Sequence, residues 1–227
     1  MSDTTPPAAQ DASEAELDIE PKVLLDVSGS MARPCAPGSL VTRLALAKQI
    51  IGQLTVATEG MDTAGKDEVA GGKTAVGTTE EDEGGLEFTL FSDTGVAIGD
   101  LTSANFDKLF AKVVPGGGTY LMEGIKTVNA DYQEEFGSKP ASHQPVMMLW
   151  IVTDGEPQDK NEVAQWLMSA TGKVRVECLV MGYGDDHNKA LAAWNNIAAT
   201  NHHVVVKTVT DKTDVEAMVK EMVAAIQ

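Results

Sequence analysis

Apolar and polar positions follow two rhythms along this chain, and they take turns. Lys22 to Val27 is a short apolar run that predicts a buried strand, and from Ser39 onward Leu40, Leu44, Ala47, Ile51 and Leu54 fall on one helical stripe. Leu86 to Phe91 and Gly95 to Ile98 flank Ser92-Asp93-Thr94-Gly95, the pattern of a hairpin. Ser103 is placed to cap a helix carrying Phe106, Leu109 and Phe110. After the glycines at 116 to 118, Leu121, Ile125, Val128 and Tyr132 share one helical face. Val146 to Val152 is apolar at every position, as expected of a central parallel strand covered on both sides. Beyond it the reading is a helix near 160–170, a strand at 174–180, a helix near 188–198 and a strand near 204–207. A last helix opens on Thr213-Asp-Val-Glu216, a capping box, and buries Val215, Met218, Val219 and Met222.

Repeated strand–helix units predict an α/β fold: a doubly wound, mostly parallel sheet with helices on both faces, the hairpin adding one antiparallel edge strand. In such sheets ligands bind beyond the carboxyl ends of the strands, where the strand order reverses.

Charge divides the 227 residues further. Residues 1–20 hold six acids and no Lys or Arg, and residues 58–85 hold eight acids against two lysines among many Gly and Thr. Twelve of the 17 net negative charges therefore lie in these two segments. The first reads as a solvated tail and the second as an insertion within a single domain spanning 21–227. So acidic a chain repels phosphate backbones and anionic lipid, which argues against nucleic-acid and membrane partners. No apolar run is long enough to span a bilayer and the start lacks a secretory leader. With only Cys35 and Cys178 there is no disulfide framework, and a reducing cytoplasm is the expected compartment.

Three oxygen-bearing segments follow predicted strands or a flexible loop. Asp26-Val-Ser28-Gly-Ser30 ends the first strand, Thr119 follows Gly116-Gly117-Gly118, and Asp154-Gly155 follows the apolar strand. Two carboxylates and three hydroxyls, without His or Cys, form a hard-oxygen set suited to Mg²⁺ or Mn²⁺. Each segment alone reads equally as a polar turn; their common placement at the ligand-binding edge is what points to a metal.

Val23 to Met31, Gly117-Gly-Thr119 and Trp150-Ile-Val-Thr-Asp-Gly155 together resemble the von Willebrand factor type A (VWA) domain. Its metal-ion-dependent adhesion site (MIDAS) combines Asp-x-Ser-x-Ser with a distant Thr and a distant Asp. The resemblance implies a Rossmann-like fold in which Ser28, Ser30 and Thr119 hold Mg²⁺ directly, while Asp26 and Asp154 act largely through ordered water. A vacant position then takes a Glu or Asp from a protein partner, and movement of the Thr119 loop would set two affinity states. Thr153-Asp-Gly-Glu-Pro157 is also similar to bacterial members associated with tellurium resistance and stress response.

Other features carry less. Gly182-Tyr-Gly184 lacks the third glycine of a dinucleotide fingerprint, position 187 being His, and the glycines at 116 lack the Lys-Ser/Thr of a P-loop. His202 and His203 are adjacent in or before a strand and so point to opposite faces. Asp185-Asp186 reads as a helix cap, Cys178 as a buried small hydrophobe, and Cys35 as an exposed thiol near the metal. The expected function is a non-enzymatic interaction module that assembles or regulates a larger complex. The alternatives are a metal-dependent phosphoester hydrolase using Asp159 or Glu156 as base, and a structural component of a multiprotein particle.

Overall fold

The computed structural model describes residues 18–59 and 85–226. Most of the predicted acidic tail and insertion lies outside them. Six strands form one sheet: β1 (Ile19–Asp26), β2 (Leu86–Phe91), β3 (Gly95–Leu101), β4 (Val146–Thr153), β5 (Val174–Met181) and β6 (Val204–Val209). Their order is β3-β2-β1-β4-β5-β6, parallel except for β3, which runs antiparallel to β2 at one edge. The helices are α1 (Arg43–Thr58), the short α2 (Phe106–Phe110), α3 (Leu121–Phe136), α4 (Lys160–Ser169), α5 (Gly184–Thr200) and α6 (Val215–Ala224).

Successive strand residues face opposite ways, and this sorts the apolar side chains into two cores. Val23, Leu25, Trp150 and Val152 pack with α1 and α6; Leu24, Leu149, Ile151 and Val180 pack with α3, α4 and α5. The continuous apolar run of β4 is buried on both sides because β1 and β5 flank it and helices cover each face. Among the described residues no helix is long and apolar enough to cross a membrane.

Several local expectations shift. β1 begins at Ile19, inside the stretch read as tail, and the Val146 amide donates to the Asp18 carbonyl. Lys22, counted as the start of an apolar run, is fully buried on the face of Leu24; it pairs with Glu87 of β2 and lies 3.9 Å from Glu20. Burial, reinforced by Glu135, Glu87 and Asp18, pushes the Glu20 carboxyl up to about 7 despite the Lys22 charge.

The first helix starts at Arg43, later than Ser39, because Thr42 Oγ1 caps it by accepting the Ala45 amide at 3.1 Å. Residues 33–42 instead form a tied loop, with Cys35 N–H donating to the Val41 carbonyl and Arg43 N–H to the Arg33 carbonyl. Leu40 therefore leaves the stripe for solvent, and the buried face of α1 is Leu46, Ala47, Ile50, Ile51 and Leu54. Ser103 does not cap α2; its amide and hydroxyl both donate to Glu59. Asp214, not Thr213, caps α6, its carboxylate accepting the Ala217 amide. Asp185 and Asp186 lie within the first turn of α5.

Candidate metal centre

The strand order reverses between β1 and β4, and the three oxygen-bearing segments meet in the crevice beyond their carboxyl ends. Asp26 is the last residue of β1. Its Oδ1 accepts the Ser28 amide at 2.7 Å and its Oδ2 accepts the Thr153 hydroxyl at 2.6 Å, so β1 and β4 are joined through one carboxylate. The chain then turns into a short 3-10 helix at Gly29–Ala32, which brings Ser30 Oγ to 3.0 Å from Ser28 Oγ. Ser30 Oγ donates to Asp154 Oδ1 at 2.7 Å. Asp26, Ser28, Ser30 and Asp154 thus share one bonded set, in which Asp26, Ser28 and Asp154 are buried and Ser30 half-buried.

Thr119 reaches the same crevice by a loop fixed at several points. Gly116 N–H donates to the Val27 carbonyl at 2.7 Å, and Gly118 N–H to Asp93 Oδ1 at 2.8 Å. The Thr119 carbonyl accepts the Gln158 amide at 2.9 Å. Gly117 has a φ of +78°, and a Cβ there would meet the Asp93 carboxylate at 2.7 Å, so a side chain is doubly excluded. Thr119 Oγ1 lies 3.4 Å from where a Cβ on Gly155 would stand, which sets the hydroxyl against the Asp154 turn.

The donor set suits a small hard cation. Both oxygens of each carboxylate are already bonded to protein donors, one of them the Ser30 hydroxyl, whose oxygen keeps lone pairs free to accept a cation. Two neighbouring ligands of an octahedral Mg²⁺ with bonds near 2.1 Å stand about 3.0 Å apart, the same as the separation of Ser28 Oγ and Ser30 Oγ. Among the described residues no group of three or more His, Cys, Asp or Glu is placed to hold a metal, so any ion here depends on hydroxyl oxygen.

Arg43 was not singled out by the sequence pattern. Its Nη1 donates to Asp154 Oδ2 in a pair whose side chains are 7% and 0% exposed. The guanidinium packs against Gly182, whose Cβ would lie 3.2 Å from Nε and whose φ of +124° already disfavours a side chain. Its Nε is buried and has no hydrogen-bond partner among the described residues. A cation as the first residue of a helix runs against the helix dipole, and that was the one signal available. Two carboxylates and one guanidinium give the set a net charge of −1 when all are ionised. Burial, with a further push from Asp154, raises the Asp26 carboxyl to about 6, although its bonds to Thr153 and Ser28 hold it down.

The residues suggested for hydrolysis are engaged elsewhere. The Asp159 carboxylate accepts the Leu121 and Met122 amides at 3.1 and 2.8 Å and so caps α3 from another segment. Glu156 pairs with Lys160 one turn away. Cys35, expected to be exposed, is fully buried under the 33–42 loop, with Sγ 3.6 Å from Ser39 Oγ. Cys178 is buried as expected, and burial pushes its thiol well up.

No family model matches the sequence, and no curated protein aligns with it significantly. Solved structures do. A von Willebrand factor type A protein from Catenulispora acidiphila superposes over 93% of this chain with a TM-score of 0.57 at 17% identity. This chain spans 43% of that protein's length. The conserved hypothetical protein BatB from Bacteroides thetaiotaomicron matches over 92% of this chain and 98% of its own, with a TM-score of 0.60 at 15% identity. The SpRpn10 VWA domain matches over 90% of this chain and 95% of its own, with a TM-score of 0.54 at 13% identity. At such identities the likeness is one of architecture, and the six-stranded sheet described above has the fold of a von Willebrand factor type A domain.

Proposed function

We propose that this chain is a protein-interaction module in which a divalent cation, Mg²⁺ or Mn²⁺, bridges the crevice to a Glu or Asp carboxylate of a partner protein. When bound, the ion supplies a Lewis-acidic position open to that carboxylate. Ser28, Ser30 and Thr119 would hold it. Asp26 and Asp154 stand behind them, each fixed by two protein donors, and so supply negative potential without surrounding the ion. Arg43 offsets part of that negative charge and keeps Asp154 aimed at Ser30. A cation so incompletely neutralised attracts a further carboxylate. The observation carrying this reading is the pair of seryl oxygens 3.0 Å apart, with Asp26 and Asp154 each held by two protein donors beside them.

The reading is one of binding and not of turnover, because Asp159 and Glu156 are committed to a helix cap and to an ion pair. The likeness of Thr153 to Pro157 to bacterial tellurium-resistance members is the basis for placing the partner in a cytoplasmic stress-response assembly. Calorimetric titration with Mg²⁺ tests the core of the proposal. The wild-type chain takes up one ion, Asp26→Ala and Thr119→Ala lose it while keeping the wild-type circular dichroism, and equal uptake by all three would refute it.

A further inference from the structure

Nine large apolar or aromatic side chains are exposed among the described residues, and five of them lie on loops at the end of the sheet that carries the candidate metal centre. Leu40 and Val41 lie on the loop between β1 and α1, Val114 and Tyr120 on the segment that carries Thr119, and Tyr183 just beyond β5. All three segments are at the carboxyl edge of the sheet. Each is tied to the candidate metal centre by short covalent or hydrogen-bonded links. Tyr120 follows Thr119 directly. Val114 is two residues from Gly116, whose amide bonds to Val27. Tyr183 follows Gly182, which the Arg43 guanidinium touches.

The loop bearing Leu40 is built, not slack. Its base is closed by the amide–carbonyl bonds of Cys35 to Val41 and Arg43 to Arg33, both 2.9 Å. Ser39 N–H donates to the Ala36 carbonyl, and Ser39 Oγ accepts the Val41 amide at 3.1 Å. Cys35 is buried beneath it. This scaffold holds Leu40 fully exposed (100%) only three residues before Arg43, which grips Asp154. An ordered loop presenting an apolar side chain to water costs solvation free energy that only a covering surface returns.

We propose that these five side chains form an apolar collar, and that the partner segment it fits is one Glu or Asp flanked on both sides by large apolar residues, with Leu40 as the principal anchor. This rests on the metal-bridge reading for the central carboxylate and adds what must stand beside it. Charge favours that arrangement over an acidic run. On the same loops and the helix starts beside them, Asp93, Glu156, Asp185 and Asp186 outnumber Arg33, Lys160 and Lys189, so further acids on the partner would be repelled where one at the centre is held. Apolar flanks meet no such penalty and displace water from around the carboxylate, which strengthens its attraction to the ion.

The test uses the full chain and a library of short synthetic peptides with a fixed central Glu and randomised flanks, selected in the presence of Mg²⁺. Selected peptides carry Leu, Phe, Met or Tyr beside the Glu. Leu40→Ser weakens them by about tenfold or more, the cost of one unburied leucine, and leaves calorimetric Mg²⁺ uptake unchanged. Flanks that stay random, or equal peptide affinity in Leu40→Ser, overturn the collar while leaving the metal bridge intact. Selection of apolar flanks that persists in EDTA and after Glu→Gln overturns the metal bridge and leaves the collar standing as a plain apolar interface.

Discussion

Replacing Arg43 by Met gives the sharpest test of how the crevice is held together. Methionine matches the length of the aliphatic stem but removes the guanidinium from Asp154, whose side chain is fully buried. Breaking a buried ion pair from one side typically costs about 3–5 kcal/mol, because the remaining charge is left without compensation. For a domain of this size each kcal/mol lowers the melting temperature by about 2–4 °C, so the variant should melt on the order of 10 °C or more below the wild type in EDTA. Part of the loss is recoverable. In Arg43→Met a divalent ion becomes the nearest positive charge to Asp154, so saturating Mg²⁺ should raise the variant's midpoint by more than it raises the wild type's. At 100 times the dissociation constant the linkage alone gives about 2.7 kcal/mol, and tighter binding by the variant adds to that. The double variant Arg43→Met with Asp154→Asn removes both charges and should regain most of the stability while losing the response to Mg²⁺. The assay is thermal unfolding by circular dichroism, with and without Mg²⁺. A single variant that melts within a degree or two of the wild type in EDTA would refute the reasoning, since Asp154 would then not depend on its partner.

Two further outcomes follow from contacts outside the crevice. Asp159→Ala removes the carboxylate that accepts the first two amides of α3, which should cost about 2 kcal/mol in urea unfolding; an unchanged midpoint would mean that α3 does not need the cap. Glu20, held near 7 against an ordinary 4.5, keeps its proton in the folded state when the unfolded chain has released it. Its contribution is therefore fully present below pH 4.5 and lost as pH rises through 7. Comparing wild type with Glu20→Gln between pH 5 and pH 8 should reveal a relative loss of up to about 3 kcal/mol in the wild type, and a pH-independent difference would show that Glu20 is not shielded from water.

Much of the fold was legible because its signals were local and redundant. Val146 to Val152 is apolar at every position, and only a doubly covered strand needs that; Leu121, Ile125, Val128 and Tyr132 keep helical spacing over three turns and are all buried. The three oxygen-bearing segments were legible because each sits where a strand or a glycine run ends, and the structure brings all five residues to one crevice. The errors arose where adjacent residues compete for one role. Thr213 and Asp214 are both good caps, and only the geometry decides for Asp214. Leu40 matches the helical period, but Ser39 and Thr42 bond the backbone locally and hold it off the helix. Arg43 and Asp159 act on partners 111 and 38 residues away, and nothing in local spacing encodes such a contact.

The anchoring of Thr119 has a kinetic consequence. Its segment is stopped on one side by Asp93 and on the other by Gln158 and the Asp159 carboxylate. Displacing the backbone of this segment toward or away from Asp154 would stretch these tethers, all of which hold main-chain groups. A backbone rearrangement that moved Thr119 would have to give up several of these bonds, which favours the observed placement of the segment. Under the proposed function, a ligand would meet a Thr119 segment that is already held in place, so loop assembly would not be required before binding.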